Sequence, residues 1–304
     1  MENKAINFEF TSYEFKPENG RVIFNYKTEF ENREPILWTE TIVLPNALGL
    51  LDLNDVPKDQ LDKILQSIHI ILGISYWKFY CPPAVTLVKA GATLTKQQAE
   101  FWNIVYKKGL GEFFYRNNLN PNKSPKFPYD KNAPQSCHCE EPAGDEAIST
   151  VGIAASVAPL LPRNDGEKKG YLVGVSGGKD SIVGAELMKE FGENITAFYI
   201  ETNKESELVN NVIKLTGLPS LKIKRILDSK VFDKHQYNGH IPISAIYAFL
   251  GIFTATLYGY KGFIVSNEYS SNFGKEERGK HGDLYNVEYE SEKGSEGLLS
   301  HKWS

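Results

Sequence analysis

Residues 171–181 read Tyr-Leu-Val-Gly-Val-Ser-Gly-Gly-Lys-Asp-Ser, and this stretch constrains the chain more than any other. Leu172, Val173 and Val175 have the character of a buried strand, which the Ser176-Gly177-Gly178 turn breaks. Asp180 then opens a segment in which Ile182, Val183, Ala185, Leu187 and Met188 follow a helical period. A strand, a glycine turn and a helix N-terminus together aim backbone N–H groups and a positive dipole end at an anion, most often a phosphate. The Ser176 and Ser181 hydroxyls add further donors. Two commoner phosphate loops are excluded. Gly174 and Gly178 stand one residue too close for a Walker A loop, and Ser176 occupies the second glycine position of the dinucleotide fingerprint.

Downstream, strand and helix signals alternate. Ile195–Ile200 reads as a strand, about 204–215 as a helix ending at Thr216-Gly217, and Leu221–Ile226 as the next strand. From Ile241 to Tyr260 the chain carries no charge for 20 residues, about the length of a membrane span. Pro242, Ser244, Thr254, Thr256 and two glycines, followed by the strand-like Gly262–Ser266, predict a buried helix instead. The pattern implies an α/β fold with a doubly wound parallel sheet over about 171–304. Ligands in such sheets bind beyond the carboxyl ends of the strands. That rule selects 176–181, Glu201-Thr-Asn203, Arg225 to Asp228 and Ser266-Asn-Glu268 as site lining.

The first 128 residues predict a smaller α+β domain. Val22, Phe24 and Tyr26 alternate with polar residues after a Pro17–Gly20 turn, and Ile36–Leu44 is another strand candidate. Pro57 opens a helix with Leu61, Ile64, Leu65, Ile68, Ile71 and Leu72 on one face, where His69 is expected to pack. Thr95-Lys-Gln-Gln98 is a capping box ahead of a second helix. Gly73 and Gly109 read as helix C-caps, with the aromatics after each closing the core or meeting a substrate.

Between these halves, residues 129–170 form a linker. There is no aromatic side chain among the 41 residues from Asp130 to Gly170, where the chain's 12% content would give about five. Cys137-His138-Cys139 lacks the second ligand pair a zinc site needs. Residues 135–166 resemble a translated palindromic repeat of the kind that inserts into bacterial reading frames.

At 304 residues and 41% hydrophobic, the chain can bury two modest cores. A net charge of −4 gives no general attraction to nucleic acid, and three cysteines make no disulfide framework. The amino terminus carries no signal-peptide pattern. A cytoplasmic enzyme is the expectation, with neither nucleic acid nor membrane as partner.

Asn-Gly-His-Ile-Pro at 238–242 stands at the entrance to the apolar helix. Pro242 suits a first helical turn, Gly239 permits an unusual backbone angle, and His240 can meet an anion or act as a base. Ser-Gly-Gly-Lys-Asp-Ser resembles the loop of the ATP pyrophosphatase, or PP-loop, superfamily. That loop, then 238–242, Leu-Tyr-Gly-Tyr at 257–260 and Ser-Asn-Glu at 266–268, resembles the UDP-N-acetylmuramoyl-L-alanyl-L-glutamate epimerase family. Gly-Ile-Ser-Tyr-Trp-Lys at 73–78 and Gly-Leu-Gly-Glu-Phe-Phe-Tyr-Arg-Asn at 109–117 resemble its first domain. Tyr269 stands where family members carry arginine. His301-Lys-Trp-Ser304 resembles a family sequence after which a cysteine-containing region follows, so a truncated reading frame is the expectation.

The resemblance implies ATP-dependent epimerisation of the terminal glutamate of UDP-MurNAc-L-Ala-L-Glu through an acyl-adenylate, in peptidoglycan precursor synthesis. It implies that Ser176, Gly177, Gly178, Lys179 and Ser181 bind ATP and that Asp180 also lies near Mg2+. Asn238, Gly239 and Asn267 are the implied substrate contacts. His240 and Glu268 are the candidate bases; His240 has the better intrinsic pKa, and Glu268 is alternatively a ligand for Mg2+ or the ribose. Another PP-loop adenylating reaction, tRNA thiolation or amide formation, and a non-catalytic nucleotide-binding remnant stand as the alternatives.

Overall fold

The computed structural model describes residues 4–45, 56–88, 93–133, 169–202, 206–266, 275–278 and 284–287. The linker segment 135–166, with its Cys-His-Cys motif, lies outside the described residues, as do Asn203, Asn267, Glu268, Tyr269 and residues 301–304.

The amino-terminal strands β1 (Ala5–Lys16), β2 (Arg21–Phe30) and β3 (Ile36–Val43) form an antiparallel meander. The expected turn between the first two is a 3-10 turn over Pro17–Asn19. In β2 the alternation is strict: Val22, Phe24, Tyr26, Thr28 and Phe30 are all buried. Helix α1 (Lys58–Trp77) packs on this face, and β4 (Ala84–Leu87) lies parallel beside β1. His69 packs as expected, against the rings of Phe10, Tyr13, Phe24 and Tyr26. Helix α2 (Lys96–Gly109) starts at the capping box, where Thr95 Oγ1 accepts from Gln98 N at 3.2 Å and Gln98 Oε1 accepts from Thr95 N at 2.9 Å. Helix α3 (Gly111–Arg116) follows directly.

The C-cap expectation at Gly73 is overturned. Helix α1 runs on to Trp77, and a Cβ at Gly73 would sit 2.4 Å from Phe10 Cε1 and 3.1 Å from Tyr26 Cε1. The glycine is there because the helix lies against two sheet aromatics with no room for a side chain.

The second half alternates β5 (Lys169–Gly174), α4 (Lys179–Glu190), β6 (Ile195–Glu201), α5 (Glu207–Thr216), β7 (Ser220–Ile226), α6 (Ile243–Leu257) and β8 (Tyr260–Ile264). A further short antiparallel pair joins β9 (Lys275–Arg278) and β10 (Leu284–Val287). The uncharged stretch is the buried helix α6, capped by Pro242 just outside the first turn. No helix among the described residues is long and apolar enough to cross a membrane.

Strands β5 to β8 are mutually parallel, in the order β7-β6-β5-β8. Side chains alternate between the two faces. Leu172, Phe198, Ile200, Leu221 and Ile223 join the core with α1 and α6, whereas Val173, Val175, Ala197 and Tyr199 face α4 and α5. Helices thus cover both faces, and the strand order reverses between β5 and β8.

The chain is a mixed α/β protein with one large sheet. Strand β3 pairs antiparallel with β7 through Thr41–Ile226, Ile42–Arg225 and Val43–Lys224, which gives an eight-stranded sheet in the order β4-β1-β2-β3-β7-β6-β5-β8. The two modest cores expected from composition are one main core shared by both halves, running from Phe8 to Tyr258, with two small clusters under α4 and α5. Across the junction Arg225 Nε donates to Glu40 Oε1 at 2.6 Å, and its Nη2 donates to Ser75 Oγ at 2.8 Å. Arg225 and Glu40 are both fully buried, so the pair needs every hydrogen bond it makes.

Candidate functional site

Because β5, β6 and β7 are parallel, the chain leaves all three at one edge of the sheet. Helix α6 begins there and returns the chain to the opposite edge, where β8 starts. Residues 176–181, 227–242 and 265–266 therefore leave strands at the carboxyl edge; 176–181 and 265–266 follow β5 and β8, between which strand order reverses, and 227–242 follows β7, two strands from β5.

The 176–181 loop is held by its own serines. Ser181, buried in the first turn of α4, accepts from Ser176 N at 3.2 Å and donates towards Gly178 O at 2.8 Å and Ser176 O at 3.1 Å. The Ser176 hydroxyl accepts from Gly178 N at 3.3 Å. Gly178 caps α4 without a side chain, so nothing from the cap position meets the first-turn N–H groups. A Cβ at Gly178 would touch nothing nearer than Ser176 Oγ at 3.4 Å, whereas one at Gly177 would run into Leu208 of α5 at 2.4 Å. The backbone is thus walled on one side and open on the other, with Lys179 and Asp180 exposed beside it. That cradle fits a phosphate chain. Ser266, just beyond β8, lies against α4 at Gly184, where an added Cβ would be 2.8 Å from its own.

Among the described residues no group of three or more His, Cys, Asp or Glu side chains could hold a metal ion. Magnesium at this loop would have to share phosphate oxygens with Asp180, which is its ordinary mode of binding.

The 238–242 loop is gripped by both amino-terminal motifs. Lys78 Nζ donates to Gly239 O at 2.6 Å, and Asn117 Nδ2 donates to Asn238 O at 2.9 Å. His240 Nδ1 lies 3.3 Å from Glu112 Oε2 of α3, and Glu112 also pairs with Arg116. A Cβ at Gly109 would be 3.0 Å from the Pro242 ring. Gly239 has φ +146°, which a side chain would strain, and it lies against Phe113. Lys78 is 9% exposed. Burial, and then the nearby Arg225 charge, pull its amine down to about 8.

Other edge residues are tied into the fold. Arg225 does not line an open site as the strand-end rule suggested, because its side chain enters the core towards Glu40 and Ser75. Asp228 accepts from Thr39 N and Lys230 N, both at 2.9 Å, anchoring the turn after β7 to β3. Burial raises the Glu201 carboxyl, but Lys222 and Lys224, at 3.1 and 3.2 Å, outweigh it and hold the group below the usual range. Tyr258 and Tyr260 donate to Pro45 O and Thr196 Oγ1, so the 257–260 motif is accounted for by packing.

Residues 1–290 match the family described as MurL N-terminal domain. The chain belongs to that family. Relatives named UDP-N-acetyl-alpha-D-muramoyl-L-alanyl-L-glutamate epimerase include proteins of Salinispora tropica, Micromonospora sp. and Xanthomonas oryzae pv. oryzae. They are 32%, 31% and 29% identical over 268 residues, which is 87% of this chain and 51%, 53% and 49% of theirs. The chain spans about half the length of these curated relatives. No solved structure matches it. In this chain the residues missed as contacts by sequence reasoning are Lys78, Glu112 and Asn117. All three lie inside motifs singled out from the sequence, but nothing in a linear pattern joins them to a loop more than 100 residues away.

Proposed function

We propose that the chain carries the nucleotide-binding and proton-transfer elements of an ATP-dependent epimerase acting on the terminal L-glutamate of UDP-MurNAc-L-Ala-L-Glu. The observation that carries this reading is the shared carboxyl edge of the parallel strands. There an open glycine cradle at 176–178 follows β5, beside the reversal of strand order, and a histidine loop at 238–242 lies between β7 and α6, in a chain whose relatives bear the epimerase name.

On this reading the 176–181 backbone and the Ser176 hydroxyl hold the β and γ phosphates, Ser181 supports the turn through its own hydrogen bonds, and Lys179 is the counter-charge. Asp180 would hold Mg2+, which would supply charge neutralisation at the phosphates as diphosphate leaves. ATP adenylates the glutamate α-carboxylate, removing the negative charge that opposes loss of the α-proton. His240 takes that proton, and Glu112 at 3.3 Å stabilises the imidazolium that results. Return of a proton from the opposite face inverts the centre, and water releases AMP. The proposed place of the reaction is peptidoglycan precursor synthesis.

The test is incubation with UDP-MurNAc-L-Ala-L-Glu, ATP and Mg2+ in D2O, followed by chiral analysis of the released glutamate. The expected products are UDP-MurNAc-L-Ala-D-Glu deuterated at the glutamate α-carbon, from which acid hydrolysis releases D-glutamate for the analysis, with AMP and diphosphate. AMP formation on another acceptor would point to a different adenylating reaction. ATP binding with neither AMP nor isotope exchange would leave this chain as a nucleotide-binding unit without the epimerase step.

A further inference from the structure

Two successive carbonyls of one loop are each held by a side chain from the other half of the chain. Asn238 O accepts from Asn117, which also donates to Phe113 O at 2.8 Å, and Gly239 O accepts from Lys78. The next residue is His240. Within the loop Asn238 Oδ1 accepts from Gly239 N at 2.9 Å, and Gly239 at φ +146° adopts a conformation open to glycine. External donors are what select one conformation.

Lys78 is an unusual choice for such a donor. It is 9% exposed, and no carboxylate among the described residues lies within ion-pair distance of it, whereas the neighbouring Arg225 has Glu40. Burying a cation opposite a neutral carbonyl is unfavourable, so a residue whose sole task was packing would be better served by methionine or leucine. What the ammonium supplies is a short, charge-assisted hydrogen bond at one defined point of the loop.

We infer that Lys78, together with Asn117, is a positioning residue that fixes the 238–240 backbone so that His240 faces Glu112 at the carboxyl edge of the sheet. The amino-terminal motifs then serve the site through this loop. The importance of the inference for catalysis rests on the proposed role of His240, but the geometry it asserts does not.

Hydrogen exchange by mass spectrometry on the intact chain tests it without ATP or peptide substrate. The peptide spanning 236–247 includes amides of Tyr237, Gly239 and Ile243, which bond to Phe79 O, Asn238 Oδ1 and Ile241 O. Lys78→Met should speed exchange in that peptide at least ten-fold while β1–β3 exchange as before. Lys78→Arg, which keeps a charged donor of at least equal reach, should bring the rate back to within about three-fold of the parent. Unchanged exchange over 236–247 in Lys78→Met would overturn the inference, as would acceleration spread evenly over the sheet. Because no turnover is measured, failure here is distinguishable from failure of the epimerase reading.

Discussion

The Lys78 amine reaches across 161 residues of sequence to donate to the Gly239 carbonyl at 2.6 Å, joining the end of α1 to the loop that enters α6. Burial and Arg225 depress this amine to about 8, so its charge carries a stability penalty with a defined pH window. Below about pH 8 folded and unfolded chains both hold the proton and the full penalty, about 3 kcal/mol, is present. Between there and the ordinary lysine range the unfolded chain keeps a proton that the fold releases, so stability rises with pH. Urea unfolding of the parent and Lys78→Met at pH 7 and pH 10 isolates this group. The parent should gain on the variant as pH rises; a constant difference would mean that Lys78 is not desolvated as described.

Arg225 and Glu40 join the two halves of the sheet. Glu40→Ala leaves a fully buried guanidinium without its carboxylate and should cost about 3–5 kcal/mol in urea. Glu40→Leu combined with Arg225→Met removes both charges and should recover most of that loss. If the double variant is as unstable as the single one, the pair contributes more than mutual neutralisation.

His240→Gln should abolish wash-in of deuterium at the glutamate α-carbon while AMP formation continues. Exchange at the parent rate would place the base elsewhere. Glu112→Gln removes the carboxylate beside the ring and should slow exchange by about ten-fold without touching the 176–181 loop.

Much of the fold was legible because its signals are local. The Thr95 capping box, the Ser176-Gly-Gly turn, the strict alternation of β2 and the uncharged α6 each announce themselves within a dozen residues. What was not legible depends on partners distant in sequence. Gly73 looks like a helix end until Phe10 and Tyr26 are seen against it, and the helix then runs through. Arg225 looks like a strand-end ligand until Glu40, 185 residues earlier, is found to meet it. The pairing of β3 with β7, which merges two expected cores into one, rests on three backbone register pairs that no side-chain pattern encodes.

The most direct test of the central claim, that 176–181 is a triphosphate cradle, is titration calorimetry of Gly178→Val with α,β-methylene-ATP. The backbone at Gly178, φ −90° and ψ 156°, admits valine, and a Cβ there meets only Ser176 Oγ at 3.4 Å. The variant should therefore fold with a melting temperature within a few degrees of the parent, because the added side chain fills open space and displaces no core atom. The same side chain would occupy the approach of the phosphates, so affinity should fall by about a hundred-fold or more. Equal affinity in parent and variant, with both folded, would contradict the account.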